Sequence, residues 1–126
     1  MKEFKKYYTI NAEPQMVYAA LTNQHTIRLW TGEDAEMSIE PNSEFSLWSG
    51  SIVGKNLLFE QDKKIVQQWY FGEQKEESIV TIIIHEHKKG SSVELRHTNI
   101  PDQDYENIIS GWNEVYFAEL ADFYFE

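Results

Sequence analysis

The chain has 126 residues and a formal net charge of −10, with 41% hydrophobic and 14% aromatic residues. Its acidic residues are spread along the sequence, and the resulting negative field disfavours nucleic acid and anionic membranes, which bind clustered lysines and arginines. No stretch approaches the run of about 20 apolar residues that spans a bilayer. We therefore expect neither nucleic acid nor a membrane as a partner.

The sequence contains no cysteine, which excludes disulfides, thiolate metal sites and a cysteine nucleophile. Its length fits one compact domain, so we expect residues 1–126 to form a single unit. Near the N-terminus, Tyr7, Tyr8 and Thr9 stand where a signal peptide would have its apolar core. These features predict a cytoplasmic protein.

The first third of the chain predicts one strand followed by two short helices. Residues 3–11 are rich in β-formers and alternate imperfectly between apolar and polar side chains. Pro14 suits the first turn of a helix that continues through Leu21. A second helical turn, over residues 26–30, is expected to end near Gly32.

From Glu36 onward, short β-rich segments alternate with polar turns, a pattern typical of strands with one buried face. Gly54 lies inside one such segment and indicates a bulge or the close approach of another element. Trp48 is expected to point away from the face shared by Phe45 and Leu47, where it can be a surface aromatic at a partner interface or simply an exposed strand residue. The predicted strands are residues 36–40, which are weak, and residues 44–49, 51–60, 65–71, 78–87 and 92–99.

The C-terminal segment, residues 101–126, predicts one long amphipathic helix with Asp102 as a candidate N-cap. Its apolar residues recur at spacings of three and four and form a stripe on one face, made of Ile108, Ile109, Trp112, Tyr116, Leu120 and Phe123. A helix with so much aromatic surface requires a concave partner. We predict an α+β fold in which a curved antiparallel sheet of six or seven strands wraps around this helix.

Several local motifs occur in an order and spacing that resemble a known family. They are Ile10-Asn-Ala12, Val17-Tyr-Ala-Ala-Leu-Thr22, Leu29-Trp30, Phe45-Ser-Leu-Trp48, Ile52-Val-Gly54, Ile65-Val66 with Trp69, Val80-Thr81, the strand from Gly90 to His97, and Gly111-Trp112. Together they resemble the Activator of Hsp90 ATPase homologue (AHSA) family of the START-like, or SRPBCC, superfamily. The resemblance implies a helix-grip fold, also called START-like or Bet v 1-like. Such families usually have a Gly-Gly pair before the third strand, where this sequence has Asn42-Ser43, and asparagine tolerates left-handed backbone angles.

Two functions follow as expectations. The first is binding of a hydrophobic small molecule in a cavity between the sheet and the C-terminal helix. Its candidate ligand-binding residues are Trp30, Phe45, Trp69, Val80, Ile82, Leu95, His97, Trp112 and Tyr116. The same residues can instead simply fill the core, and His97 can either orient a polar ligand group or be a hydrogen-bonded core residue. The second, implied by the resemblance, is a co-chaperone-like interaction with an Hsp90-type ATPase, which does not require a cavity.

No group of residues predicts catalysis. The serines lack a nucleophile-elbow context, no glycine-rich phosphate loop is present, and Glu114 is the only carboxylate predicted next to the aromatic stripe. His85 and His87 lie two apart on a predicted strand, so they can hold a metal ion with a third ligand or remain exposed strand residues. We expect a protein that is not an enzyme and has no metal or other cofactor.

Overall fold

The computed structural model describes residues 1–72 and 76–125. Within these residues the chain forms a six-stranded antiparallel sheet with the strand order β1-β6-β5-β4-β3-β2. Its strands are β1 (Lys2–Ile10), β2 (Glu44–Leu47), β3 (Ile52–Glu60), β4 (Lys64–Trp69), β5 (Ser78–His87) and β6 (Gly90–Ile100). Strands β2 to β6 pair with their neighbours in sequence, whereas β1 pairs with the last strand.

The helices come from the two ends of the chain. They are α1 (Pro14–Thr22), α2 (Gln24–Thr31), α3 (Tyr105–Gly111) and α4 (Phe117–Phe123). A π-helical segment, Trp112–Tyr116, joins α3 to α4, and we call these three segments together the C-terminal helix. In the described part of the chain, no helix combines the length and the hydropathy needed to span a bilayer.

Local sequence signals explain where α1 and α2 begin and end. Pro14 is the first residue of α1. Proline is favourable there because a backbone N–H at this position would make no hydrogen bond within the helix. The side chain of Asn23 accepts a hydrogen bond from the backbone N–H of Thr26 at 3.1 Å and caps α2. Gly32, with a φ of 71°, ends that helix in the left-handed conformation. The predicted pair of short helices is therefore confirmed.

One face of the sheet packs against the C-terminal helix. On three adjacent strands, alternate residues are buried on this face, as expected for strands with one buried face: Ile65, Gln67 and Trp69 on β4, Val80, Ile82 and Ile84 on β5, and Val93, Leu95 and His97 on β6. From the helix, Trp112, Phe117 and Leu120 are almost completely buried. The ring of Phe117 stacks on Tyr8 of β1 with centroids 4.0 Å apart. Burying both apolar surfaces against each other stabilises this arrangement and confirms the predicted sheet and helix.

Gly54 marks a close approach between elements, as its position in β3 predicted. A Cβ atom at this residue would lie against the backbone oxygen of Gln68 and 2.8 Å from the ring of Phe45. The irregularity in strand pairing lies further along β3, between Asn56 and Leu58. The missing side chain of Gly54 thus allows Phe45 to pack directly on the sheet.

Two predictions about secondary-structure elements were wrong. Residues 36–40 do not form a strand, because only Glu36 makes an isolated bridge, with Ser46 of β2. Asp102 does not cap the C-terminal helix, because it belongs to a 3₁₀ turn, Asp102–Asp104, and α3 begins at Tyr105. By contrast, Asn42 adopts the left-handed backbone expected before β2, with a φ of 69°.

Candidate functional site

An apolar cleft of about 340 Å³ lies between the C-terminal helix and the sheet end formed by the β2–β3 connection and β4. This volume falls in the range of small-ligand sites. The cleft is lined by Trp48, Ser51, Ile52, Trp69, Asn107, Ile108, Gly111, Trp112, Val115 and Tyr116. Because none of these side chains is charged, the cleft suits an apolar group.

Aromatic rings form the floor and one side of the cleft. Trp69 and Trp112 stack with centroids 4.7 Å apart, and Tyr116 lies 4.7 Å from Trp112. Trp48 lies 5.5 Å from Tyr116, and its indole N–H donates to Oε1 of Glu119 at 3.3 Å. Mutual contact holds these rings in place, so the cleft presents apolar surface of fixed shape.

The prediction that Trp48 faces away from the core was wrong. Strand β2 ends at Leu47, and both Trp48 and Ser49 have left-handed backbone angles, with φ of 49° and 53°. Strand alternation therefore stops, and the indole of Trp48 packs 5.6 Å from Trp30. The Ser49-Gly50 pair was the signal in the sequence that the strand had ended.

Beneath the cleft floor, His97 is fully buried and hydrogen-bonded on both ring nitrogens. The indole N–H of Trp112 donates to Nδ1 of His97 at 3.0 Å, so Nδ1 is the acceptor and the proton lies on Nε2. Nε2 is 2.8 Å from Oγ of Ser78, which itself donates to the backbone oxygen of Thr98 at 3.1 Å. Burial lowers the pKa of His97 to about 3. A protonated Nε2 cannot take a proton from Ser78, so this pair is not a nucleophile with its base.

The nine residues proposed from sequence to bind a ligand fall into two groups. Trp69, Trp112 and Tyr116 line the cleft. The others lie in the packed core behind it: Trp30, Phe45, Val80, Ile82, Leu95 and His97. The fold therefore brings all nine to the same side of the sheet, and three of them line the cleft.

Sequence reasoning missed the outer walls of the cleft. On the helix these are Ile108, Gly111 and Val115, and on the sheet side Ser51 and Ile52. Ile108 and Val115 lie four and three positions from Trp112, so helical spacing was the available signal for these two residues.

The carboxylate that contacts the aromatic residues is also different from the predicted one. Glu114 is exposed and accepts a hydrogen bond from Oγ of Ser110 at 2.9 Å. Glu119, one turn further along the helix, is the residue bonded to Trp48.

His85 and His87 pair with neighbouring groups on the opposite face of the sheet. Nε2 of His85 is 2.9 Å from Oε1 of Glu94, while Nδ1 of His87 accepts from the backbone N–H of Lys89 at 3.1 Å. Hydrogen bonds, first from His85 and then from Arg96, lower the pKa of Glu94. Among residues 1–72 and 76–125, no group of three histidine or acidic side chains is arranged to hold a metal ion.

Over residues 11–124, the sequence matches the family described as Activator of Hsp90 ATPase homolog 1-like protein. The chain belongs to this family. The Activator of 90 kDa heat shock protein ATPase homolog of Dictyostelium discoideum is 32% identical to this chain over 114 residues. These residues make up 88% of this chain and 30% of that protein. The chain spans less than a third of the length of the curated relatives it matches.

Solved structures agree with this family membership at the level of the fold. An HSP90 activator from Plasmodium falciparum superimposes with a TM-score of 0.86 at 24% identity, covering 96% of this chain and 94% of that one. The Aha1 dimer from Colwellia psychrerythraea gives a TM-score of 0.81 at 18% identity, covering 98% and 96% of the two chains. The START-like, helix-grip fold expected from the family resemblance is confirmed.

Proposed function

We propose that this chain is a co-chaperone-like module that binds an Hsp90-type ATPase. The observation that carries the proposal is the family match over residues 11–124, supported by the relative from Dictyostelium discoideum that is named as an activator of this ATPase. We further propose that residues 1–126 act as a single START-like domain in the cytoplasm, as a binding module and not as an enzyme.

The packing of the core also favours protein binding over an enclosed ligand. The ring of Trp112 lies 4.7 Å from Trp69 and 5.8 Å from His97, and Trp69 lies 5.4 Å from His97. Side chains thus fill the space around His97 between sheet and helix, and the open volume between these elements is the cleft. A protein partner that contacts the surface does not need that space.

The test is the ATPase rate of the purified Hsp90-type chaperone from the same organism, measured at increasing concentrations of this domain. We expect a saturable change in that rate. The chain spans less than a third of the length of its curated relatives, so binding need not be accompanied by stimulation. Calorimetry on the same samples therefore measures binding separately from the ATPase rate. No rate change and no binding heat at roughly 100 μM domain would contradict the proposal.

The cleft supports a second candidate function, binding of a small hydrophobic molecule. Its volume of about 340 Å³ and its floor of stacked Trp69 and Trp112 favour this function. Titration with fatty acids, sterols and aromatic metabolites should then give a saturable change in tryptophan fluorescence. A panel without any such change, in a folded sample, would exclude the tested classes of ligand.

A further inference from the structure

Gly111 lies on the cleft wall within the C-terminal helix, where glycine is less favourable than alanine by about 1 kcal/mol. Its φ of −59° is ordinary for a helix, so its backbone conformation does not require glycine. A Cβ atom built at Gly111 has no heavy atom within 4 Å, so no neighbouring side chain requires glycine either. The space beside it is the cleft, and a side chain here would reduce the room for an occupant.

The size and lining of the cleft fit one large apolar side chain. Its volume is about 340 Å³, and Trp69 and Trp112, which stack on each other, belong to its apolar lining. Ile108 and Val115 supply apolar walls on the helix, and Val115 is 40% exposed at the rim. Protein interfaces commonly place a single aromatic or aliphatic anchor in a pocket of this kind.

The helix that forms this wall is acidic. From Tyr105 to Phe123 it contains no lysine, arginine or histidine, and it carries carboxylates at Glu106, Glu114, Glu119 and Asp122. Glu119 is bonded to Trp48 at the side of the cleft, and exposed Glu114 is the sequence neighbour of Val115. An apolar group flanked by positive charge is attracted to such a surface, and one flanked by carboxylates is repelled.

On the basis of the proposed chaperone binding, we propose that the cleft receives one leucine, phenylalanine or tryptophan from a lysine- or arginine-rich segment of the chaperone. The apolar floor and walls bury the anchor side chain. The carboxylates of the helix attract the flanking cations, and Gly111 leaves room for the anchor. The cleft is then the part of this domain that selects the partner segment.

The first test uses a short peptide with one central leucine and lysines on both sides, titrated into the ¹⁵N-labelled domain. We expect saturable shifts of the indole N–H signals of Trp48, Trp69 and Trp112, because these rings line the cleft. Matched peptides with glutamate in place of lysine, or serine in place of leucine, should bind at least roughly tenfold more weakly. Equal binding by all three peptides would overturn the proposal. The free aromatic amine 2-phenylethylamine serves as a small-molecule comparison, and its binding without binding of any peptide would also overturn the proposal.

The second test fills the cleft. Gly111→Leu places a side chain in the open space and should weaken binding of the leucine–lysine peptide roughly tenfold or more. Ser110→Leu is the matched control, because Ser110 is exposed, adjacent in sequence and outside the cleft lining, and its effect should stay within about twofold. Circular dichroism checks that both variants fold. Unchanged peptide affinity in folded Gly111→Leu would overturn the proposal.

Chaperone binding by the same variants separates this inference from the proposed function. Equal chaperone binding by the unsubstituted domain and by Gly111→Leu would leave the proposed function standing and overturn the assignment of the cleft. Peptide binding without any chaperone binding would contradict the proposed function, and it would also overturn the proposal that the bound segment belongs to the chaperone. The expected result is chaperone binding that Gly111→Leu weakens and Ser110→Leu preserves.

Discussion

Gly54 and Gly111 lack a side chain for opposite reasons. At Gly54 the neighbouring strand and the ring of Phe45 occupy the position of a Cβ atom, whereas at Gly111 that position is open. We expect Gly54→Ala to lower the free energy of unfolding by about 1–3 kcal/mol or more, because overpacking forces its neighbours to shift. Gly111→Ala should raise it by about 0.5–1 kcal/mol, because alanine favours the helix.

Urea unfolding of the two glycine variants beside the unsubstituted chain measures both changes. A loss of stability in Gly111→Ala would mean that the fold itself needs glycine there, which contradicts its assignment to the cleft. A neutral Gly54→Ala would contradict the close packing described for β3.

His97 makes stability depend on pH in a definite direction. Its pKa is about 3 in the folded protein, whereas a histidine in the unfolded chain has a pKa of about 6.5. Between these values the unfolded chain binds a proton that the folded protein does not. Stability therefore falls as the pH drops below about 6.5, by up to about 1.4 kcal/mol per pH unit, and this loss ends near pH 3.

His97→Gln removes this contribution. The slope of unfolding free energy against pH, from urea titrations between about pH 6.5 and about pH 4.5, should be flatter in this variant by about 1 kcal/mol per unit. The comparison uses slopes, so a general loss of stability from the substitution does not affect it. Equal slopes in the two proteins would contradict the neutral, buried state of His97.

At the scale of elements, Asn56 of β3 fixes the long connection between α2 and β2. Its Nδ2 donates to the backbone oxygen of Ser38 at 3.1 Å and to Oγ of Ser43 at 3.2 Å. Its Oδ1 accepts from Nε2 of Gln67 at 3.0 Å, and Oε1 of Gln67 accepts from the indole of Trp69 at 3.1 Å. This buried chain of hydrogen bonds links the connection to the cleft floor.

Asn56→Ala should therefore lower the free energy of unfolding by about 3 kcal/mol, because it removes several hydrogen bonds and leaves a buried amide of Gln67 without its acceptor. Ser43→Ala removes one of the contacts of Asn56 and should cost about 1 kcal/mol. Urea unfolding followed by tryptophan fluorescence measures both. Equal, small effects would show that Asn56 does not hold this connection.

Secondary structure was predictable where side-chain periodicity decides burial. Strands β4 to β6 were predicted to have one buried face, and alternate residues on that face are buried, although Glu94 on the opposite face of β6 is buried as well. The stripe on the C-terminal helix was less accurate, because the π-helical segment adds a residue per turn and rotates the following helix. Phe117, outside the predicted stripe, is buried, whereas Phe123 within it is 40% exposed. Residues 36–40 looked like a strand, but side-chain contacts with Asn56 hold that region instead.

At the scale of the molecule, the order of motifs was sufficient to predict the family and the fold. The position of the cleft was not predictable in the same way, because it depends on two local features. One is the left-handed backbone that turns Trp48 toward Tyr116, and the other is the absence of a side chain at Gly111. Neither feature has a periodic signal in the sequence.

The net charge of −10 predicts how ionic strength affects binding. Raising the salt concentration from about 50 mM to about 300 mM should slow association with the chaperone severalfold, because salt screens attraction between the acidic helix and a basic segment. The dissociation rate should change less. Biolayer interferometry measures both rates. An association rate independent of salt would contradict the basic character of the partner segment.

Calorimetric titration of the full-length chaperone with the unsubstituted domain, Ser110→Leu and Gly111→Leu tests whether this domain binds an Hsp90-type ATPase through the cleft beside Gly111. We predict similar affinities for the unsubstituted domain and Ser110→Leu, and an affinity at least roughly tenfold lower for Gly111→Leu. Equal affinity of all three proteins would contradict the role of the cleft, and no binding by the unsubstituted domain would contradict the chaperone as its partner.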